Sequence, residues 1–293
     1  MESTLRLRIA DHVASISVPR NVPIPPLVAP FRCDIRDPGE DAVAISFEPE
    51  EDADRQVDRL GAWVRRRGGV DNSRLIQLWQ LGWLAFLLPE VNSERHWVLW
   101  MTSKATHLDM AMESCLRVYW SHAVPREAGI FVHGCAVRFG NEVSLFLGVS
   151  GVGKTTFSKL AQSRKLPVLS DERVFLQRGE SEYVAHSTPF GRICDGPLQG
   201  KVSSVFFLEH ASTGTEFERL RVSEALAIAL RDEPYTARSF RAADRRLAFE
   251  HLADLFSSVP CYRMKFVPNS DSVDLVAALV RDHASNLPAR RIA

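Results

Sequence analysis

Val143-Ser-Leu-Phe-Leu147 runs straight into Gly148-Val-Ser-Gly151-Val-Gly153-Lys154-Thr155, and the helix-compatible stretch Thr156-Phe-Ser-Lys-Leu160 follows. The segment from Gly148 to Thr155 fits the pattern G-x-x-x-x-G-K-[ST]. Each fixed position has a chemical reason. The glycines let the backbone curl until successive N–H groups face phosphate oxygens. The lysine reaches the β- and γ-phosphates, and the hydroxyl after it suits Mg²⁺. A helix opening behind the loop adds its positive end to the same anion site. The expectation is a nucleoside triphosphate site for ATP with Mg²⁺, contacted by Gly148, Ser150, Gly151, Val152, Gly153, Lys154, Thr155 and Thr156.

Working outward, short apolar runs alternate with helical stretches from Gly129 onward. Strands are expected at 130–137, 142–147, 168–170, 173–177, 202–208 and near 259–266, and helices at 154–165, 223–232, 241–257 and 271–285. Hairpin-like pairs mixed with helix-flanked strands predict an α/β fold with a mixed sheet. Before Gly129 the texture differs. Residues 1–18 alternate weakly and predict an edge hairpin, while the proline-rich stretch 19–30 predicts extended or polyproline-like chain. Residues 51–67 read as a helix, 97–101 as a buried strand and 106–123 as a helix. The expected organisation is an amino-terminal α+β accessory region, 1–105, and a phosphate-loop domain, 106–293.

Composition narrows the classes of function. The 36 Lys plus Arg balance 36 Asp plus Glu, whereas phosphate-tracking proteins carry a basic surplus, so no nucleic-acid partner is expected. A chain 45% hydrophobic and 25% charged is not a disordered one. Cys33, Cys115, Cys135, Cys194 and Cys261 stand singly with no C-x-x-C pair, which suits a reducing compartment and offers no zinc spacing. The first residues lack a signal-peptide pattern, and the apolar run from Leu75 to Leu88 is too short and too interrupted to span a bilayer. A cytoplasmic location without a membrane partner is the expectation, and a homo-oligomer is compatible with it.

Seventeen residues after Lys154, a short apolar strand ends in Leu169-Ser170-Asp171-Glu172. A carboxylate there can bind Mg²⁺ or take a proton from an attacking hydroxyl, although Asp is also common where strands turn. Neighbours on an extended strand face opposite sides, so the two acids are expected to differ in role. His133 precedes Gly134 on the strand before the loop; periodicity alone reads it as a core histidine.

These residues together carry a resemblance. The block from His133 to Lys154, followed by Leu169-Ser170-Asp171-Glu172, resembles the catalytic domain of HPr kinase/phosphorylases, whose nucleotide-binding core is related to phosphoenolpyruvate carboxykinases. The resemblance spans about residues 129–210 and continues more weakly to about 280, where it is similar to HPr-kinase-related stand-alone proteins of bacterial gene clusters, some tied to ribosomally made peptides. It implies that Asp171 is the general base on a serine hydroxyl, that Lys154 holds phosphates and that His133 assists at the transferred phosphoryl group. It also implies that Thr155 and Glu172 meet the metal, with Glu172 standing where the family usually has aspartate. The family's E-x-R-G-x-G segment is replaced by Ser187-Thr-Pro-Phe-Gly191-Arg192. The amino-terminal hundred residues do not resemble the family's own amino-terminal domain.

Three functions compete. The first is an ATP-dependent kinase acting on a serine hydroxyl, in a peptide or protein such as a ribosomal precursor peptide, or in free serine. The second is a nucleotide-dependent ATPase or switch with no phosphorylated acceptor. The third, a carboxykinase-like enzyme, calls for metal and oxyacid ligands the chain does not display. Arg192 is the candidate acceptor contact, because a guanidinium fork suits a phosphate or carboxylate; a solvated loop arginine is the plain alternative.

Overall fold

The computed structural model describes residues 2–19, 24–34, 41–49, 76–80, 83–89, 96–103, 112–113, 116–117, 119–120, 128–232 and 242–285. The chain forms two compact units, Met1–Pro125 and Arg126–Ala293. The helix expected at 51–67 lies outside the described residues.

The first unit holds β1 (Glu2–Ile9), β2 (His12–Pro19), β3 (Asp41–Pro49), β4 (Ile76–Gln80), β5 (Trp83–Pro89) and β6 (His96–Ser103). They form one sheet in the order β1-β2-β3-β6-β5-β4, parallel across β2-β3-β6 and antiparallel elsewhere. The amino-terminal alternation does make an edge hairpin, with Ile9 opposite His12, and it buries Leu5, Leu7, Ile9, Ile16 and Val18. The proline-rich stretch departs from expectation: Pro26–Phe31 is a 3-10 helix. Proline at its first position already has a helical φ. With three residues per turn, Val28 and Phe31 share one side, and both are buried. Within 106–123, the described positions are helical, and Met112, Leu116, Tyr119 and Trp120 are all buried, at the spacing of one helical stripe.

The second unit is a mixed α/β structure. Its strands are β7 (Gly129–Phe139), β8 (Glu142–Leu147), β9 (Val168–Ser170), β10 (Arg173–Arg178), β11 (Tyr183–His186), β12 (Gln199–His210), β13 (Glu216–Leu220) and β14 (Cys261–Phe266). Its helices are α1 (Lys154–Ser163), α2 (Val222–Asp232), α3 (Ala242–Ser258) and α4 (Ser270–Ser285). The sheet order is β11-β10-β7-β8-β12-β14-β13, with β9 beside β7. β8, β12 and β14 run parallel; the other pairs are antiparallel. β11 also pairs with the start of β12, closing β11-β10-β7-β8-β12 into a ring.

Alternation along the strands builds two cores. On one face Val132, Leu145, Val205 and Phe207 pack with Ala225 and Ala229 of α2 and Leu252 and Phe256 of α3. On the other, Val137, Phe146, Phe206 and Met264 pack with Phe157 and Ala161 of α1 and Val273 and Val276 of α4. The central strands are therefore covered on both faces, as parallel strands require. Ser144 and Ser204, opposite each other on β8 and β12, satisfy one another at 2.8 Å inside this core. The consequence for function is positional. β8 delivers its carboxyl end, beside those of β12 and β14, to the start of α1, and such crevices are where open α/β sheets bind ligands.

Candidate functional site

The loop from Gly148 to Gly153 leaves β8 and enters α1. Gly148, Gly151 and Gly153 take φ of 146°, 85° and 111°, a region other residues pay to enter. Gly153 is also pressed from below: a Cβ there would stand 2.7 Å from Phe266 Cε1. Gly153 is the N-cap of α1 and no side chain caps the helix, so the positive end of the helix dipole opens onto the loop. Lys154 is buried to 6% exposure, and its Nζ donates to the carbonyls of Gly148 at 2.8 Å and Val149 at 3.1 Å. The loop thus holds a cation in its own cup. Ser150 and Thr156 are exposed and Thr155 is half-buried. Val152 differs from them: its side chain packs into the core with Phe157, and its N–H donates to Val149 O at 3.3 Å.

Strand β7 joins this loop to the acidic turn. Gly134 lies opposite Leu147, the residue before the loop, and His133 lies opposite Arg173, the residue after Glu172. Gly134 N donates to Glu172 O at 3.1 Å, and His133 Nε2 stands 3.5 Å from Glu172 Oε1. The side chains of this pair are 21% and 36% exposed, so solvent reaches both. The register therefore brings His133 to Glu172 and places both next to the strand that feeds the loop.

Asp171 is buried to 2% exposure. Its Oδ1 accepts the N–H groups of Arg192 at 2.8 Å and Ile193 at 3.0 Å, and its own N–H donates to Ile193 O at 3.2 Å. Gly191 makes this approach feasible: at φ 147°, a Cβ there would lie 2.6 Å from Asp171 Oδ1. Arg192 contributes its backbone to Asp171 while its side chain is exposed.

Beneath the site lies Cys135, whose Sγ accepts from Ser158 Oγ of α1 at 2.9 Å. Burial pushes this thiol up to about 12; the Ser158 hydrogen bond lowers it, the Asp171 charge raises it and the Lys154 charge lowers it.

Three residues that the motif reading passed over shape the site. Ser170 Oγ accepts the N–H groups of Glu172 at 3.3 Å and Arg173 at 3.1 Å, forming the turn that splays the two acids. Such hydroxyl turns are local chemistry, and a Ser directly before an acidic pair was a readable signal. Thr188 Oγ1 donates to Arg173 O at 2.6 Å. Asp195 spans the end of α1 and the start of β9. These last two act across more than a dozen residues and carry no local signal.

For Mg²⁺ the chain offers oxygen donors of the right kind, the Thr155 hydroxyl and the Glu172 carboxylate. Among the described residues, no group of three or more His, Cys, Asp or Glu is gathered for a metal ion; Mg²⁺ at phosphates is commonly held by one or two protein oxygens together with the phosphates themselves. The donor set fits that arrangement. No helix among the described residues is long and apolar enough to cross a membrane.

No protein-family model and no curated protein matches the chain. Among solved structures, the chain is similar to the Hpr(Ser) kinase/phosphatase from Coxiella burnetii, with 10% identity and a TM-score of 0.32 over 54% of this chain and 97% of that one.

Proposed function

We propose that the chain is an ATP-dependent phosphotransferase that moves the γ-phosphoryl group of ATP to a serine hydroxyl, in a peptide or protein or in free serine. The observation that carries this reading is the shared strand: β7 sits between the lysine-bearing phosphate loop and the Asp171-Glu172 turn. Gly148, Gly151, Gly153, Lys154 and the first turn of α1 bind the phosphates of ATP. Asp171 accepts the proton of the serine hydroxyl as its oxygen bonds to phosphorus and the bond to ADP breaks. Lys154 stays with the β- and γ-phosphates and offsets charge as it shifts toward ADP. His133, held beside Glu172, steadies the transferred group. Thr155 and Glu172 would hold Mg²⁺, which supplies neutralisation of phosphate charge. Arg192 presents a guanidinium to the acceptor.

A second reading is favoured by one observation: Asp171 is nearly sealed, with Oδ1 engaged by two backbone donors. A carboxylate in that state also suits a purely structural anchor, and the chain would then be a nucleotide-dependent ATPase or switch. Incubation with γ-labelled ATP, Mg²⁺ and either L-serine or serine-containing peptides separates the two. Label transferred to an acceptor supports the kinase; label released only as inorganic phosphate supports the switch.

A further inference from the structure

Between β11 and β12 the segment Ser187–Leu198 leaves and returns to one place. Ser187 N donates to Leu198 O at 2.8 Å, and Leu198 N donates to Ser187 Oγ at 3.0 Å. With its ends joined, the segment is a compact loop of the Ω type, and such loops are commonly functional. Its middle supplies the two N–H groups that hold Asp171. One side chain of the loop, Asp195, reaches the helix that opens at the phosphate loop. Asp195 Oδ1 accepts from Gln162 Nε2, near the end of α1, at 2.7 Å. Its Oδ2 accepts from Val168 N, the first residue of β9, at 2.7 Å, and Asp195 N returns a bond to Val168 O at 3.0 Å.

We propose that Asp195 is a positioning residue for phosphoryl transfer, acting through Asp171. It ties the loop that grips Asp171 to the helix that opens at the phosphate loop, so that the base and the bound phosphates keep one spacing. Asp195 itself is exposed and spends both carboxylate oxygens on protein donors. A displacement near 1 Å at a reacting centre costs orders of magnitude in rate, so a pin of this kind affects turnover without touching substrate. The proposal rests on the reading of Asp171 as the base.

The test uses the full chain with γ-labelled Mg-ATP and L-serine or a serine-containing peptide as probes, following turnover as label transferred to the acceptor together with amide hydrogen exchange. Asp195→Asn keeps an acceptor for one donor and loses the other. It should lower kcat by roughly 10- to 100-fold with the KM for ATP unchanged. Exchange at the Arg192 and Ile193 amides should speed up by about tenfold or more while Phe157 and Ala161 of α1 stay protected. In an Asp171→Asn background the same substitution should cost nothing further, since residues acting as one unit are not additive. Gln162→Ala, which removes only the exposed partner, should reproduce a smaller form of the change. Equal fractional losses in both backgrounds, or native protection at Arg192 and Ile193 in Asp195→Asn, would overturn the proposal. Native turnover in Asp171→Asn alone would instead overturn the base reading, and with it the catalytic half of this one, whatever the exchange shows.

Discussion

At the scale of single residues, the site makes two sharp demands. Lys154 places a buried amine in a cup of carbonyls, and on the proposed reading replacing it removes a charge-assisted contact to phosphate. Lys154→Ala should weaken ATP binding by roughly 1.5–3 kcal/mol, measured by calorimetric titration, with turnover falling further because charge develops there during transfer. Native affinity in that variant would dismiss the phosphate-loop assignment. Asp171→Asn is the complementary change. The amide keeps an oxygen that can accept from Arg192 and Ile193, so the fold and ATP affinity should persist while transfer drops by about 10²–10⁴-fold, the usual worth of a general base. A folded Asp171→Asn protein with native transfer would leave Asp171 as an anchor alone. Lys154, Asp171, Glu172 and His133 are candidates named from the sequence, the first three by motif spacing and His133 by resemblance alone, because both specify residue types. Their unequal exposure was not legible there. Which acid is sealed and which meets solvent follows from Ser170 and Gly191, and the Gly191 approach joins residues 20 positions apart.

At the scale of elements, α1 is the part on which the loop depends. Phe157 is fully buried, with its ring centroid 4.1 Å from that of Phe146 and 5.9 Å from that of Phe266. Truncation there opens a cavity under the loop without touching it. Phe157→Ala should destabilise the second unit by about 3–5 kcal/mol, read as a lower urea midpoint, and loss of less than about 1 kcal/mol would show that this helix is not what braces the loop. Strands rich in branched and aromatic residues, such as 130–137, 142–147 and 202–208, were readable from composition, and helices α1 to α4 from their apolar spacing. Five strands escaped: β3, β4 and β5 of the first unit, and two of the second. Glu216–Leu220 is Glu-Phe-Glu-Arg-Leu, whose alternating charge marks an edge strand's exposed face and hides its strand character. Tyr183–His186 is held between β10 and β12 by pairings at both sides, a tertiary cause that a four-residue window does not display.

For the molecule as a whole, three thiols of the second unit, Cys135 and Cys261 buried and Cys194 half-buried, weaken the fold in alkali. Burial pushes Cys135 and Cys261 up to about 12 and Cys194 up to about 11. Folded, these thiols stay protonated where the unfolded chain has lost the proton, so the unfolded state binds fewer protons and gains ground as pH rises. Their contribution is intact below the ordinary thiol range near 9 and is lost upward to 11–12, at about 1.4 kcal/mol per pH unit for each thiol. Urea midpoints should therefore fall steeply between pH 9 and 11, and Cys135→Ala should flatten that fall; a midpoint independent of alkali would contradict the burial of these groups. The mixed α/β class of the second unit was predictable from the alternation of element types, whereas the closure of β11 onto β12 was not, since no local pattern encodes which strand meets which. The underside of the phosphate loop is likewise assembled from afar: Gly148 rests against Leu208 and Gly153 against Phe266. A chain emerging from a ribosome at roughly 5–20 residues per second makes the loop several seconds before it makes Phe266. For that interval the glycine-rich turn has no floor, and any anion the loop takes can support the fold only once Cys261–Phe266 has been translated.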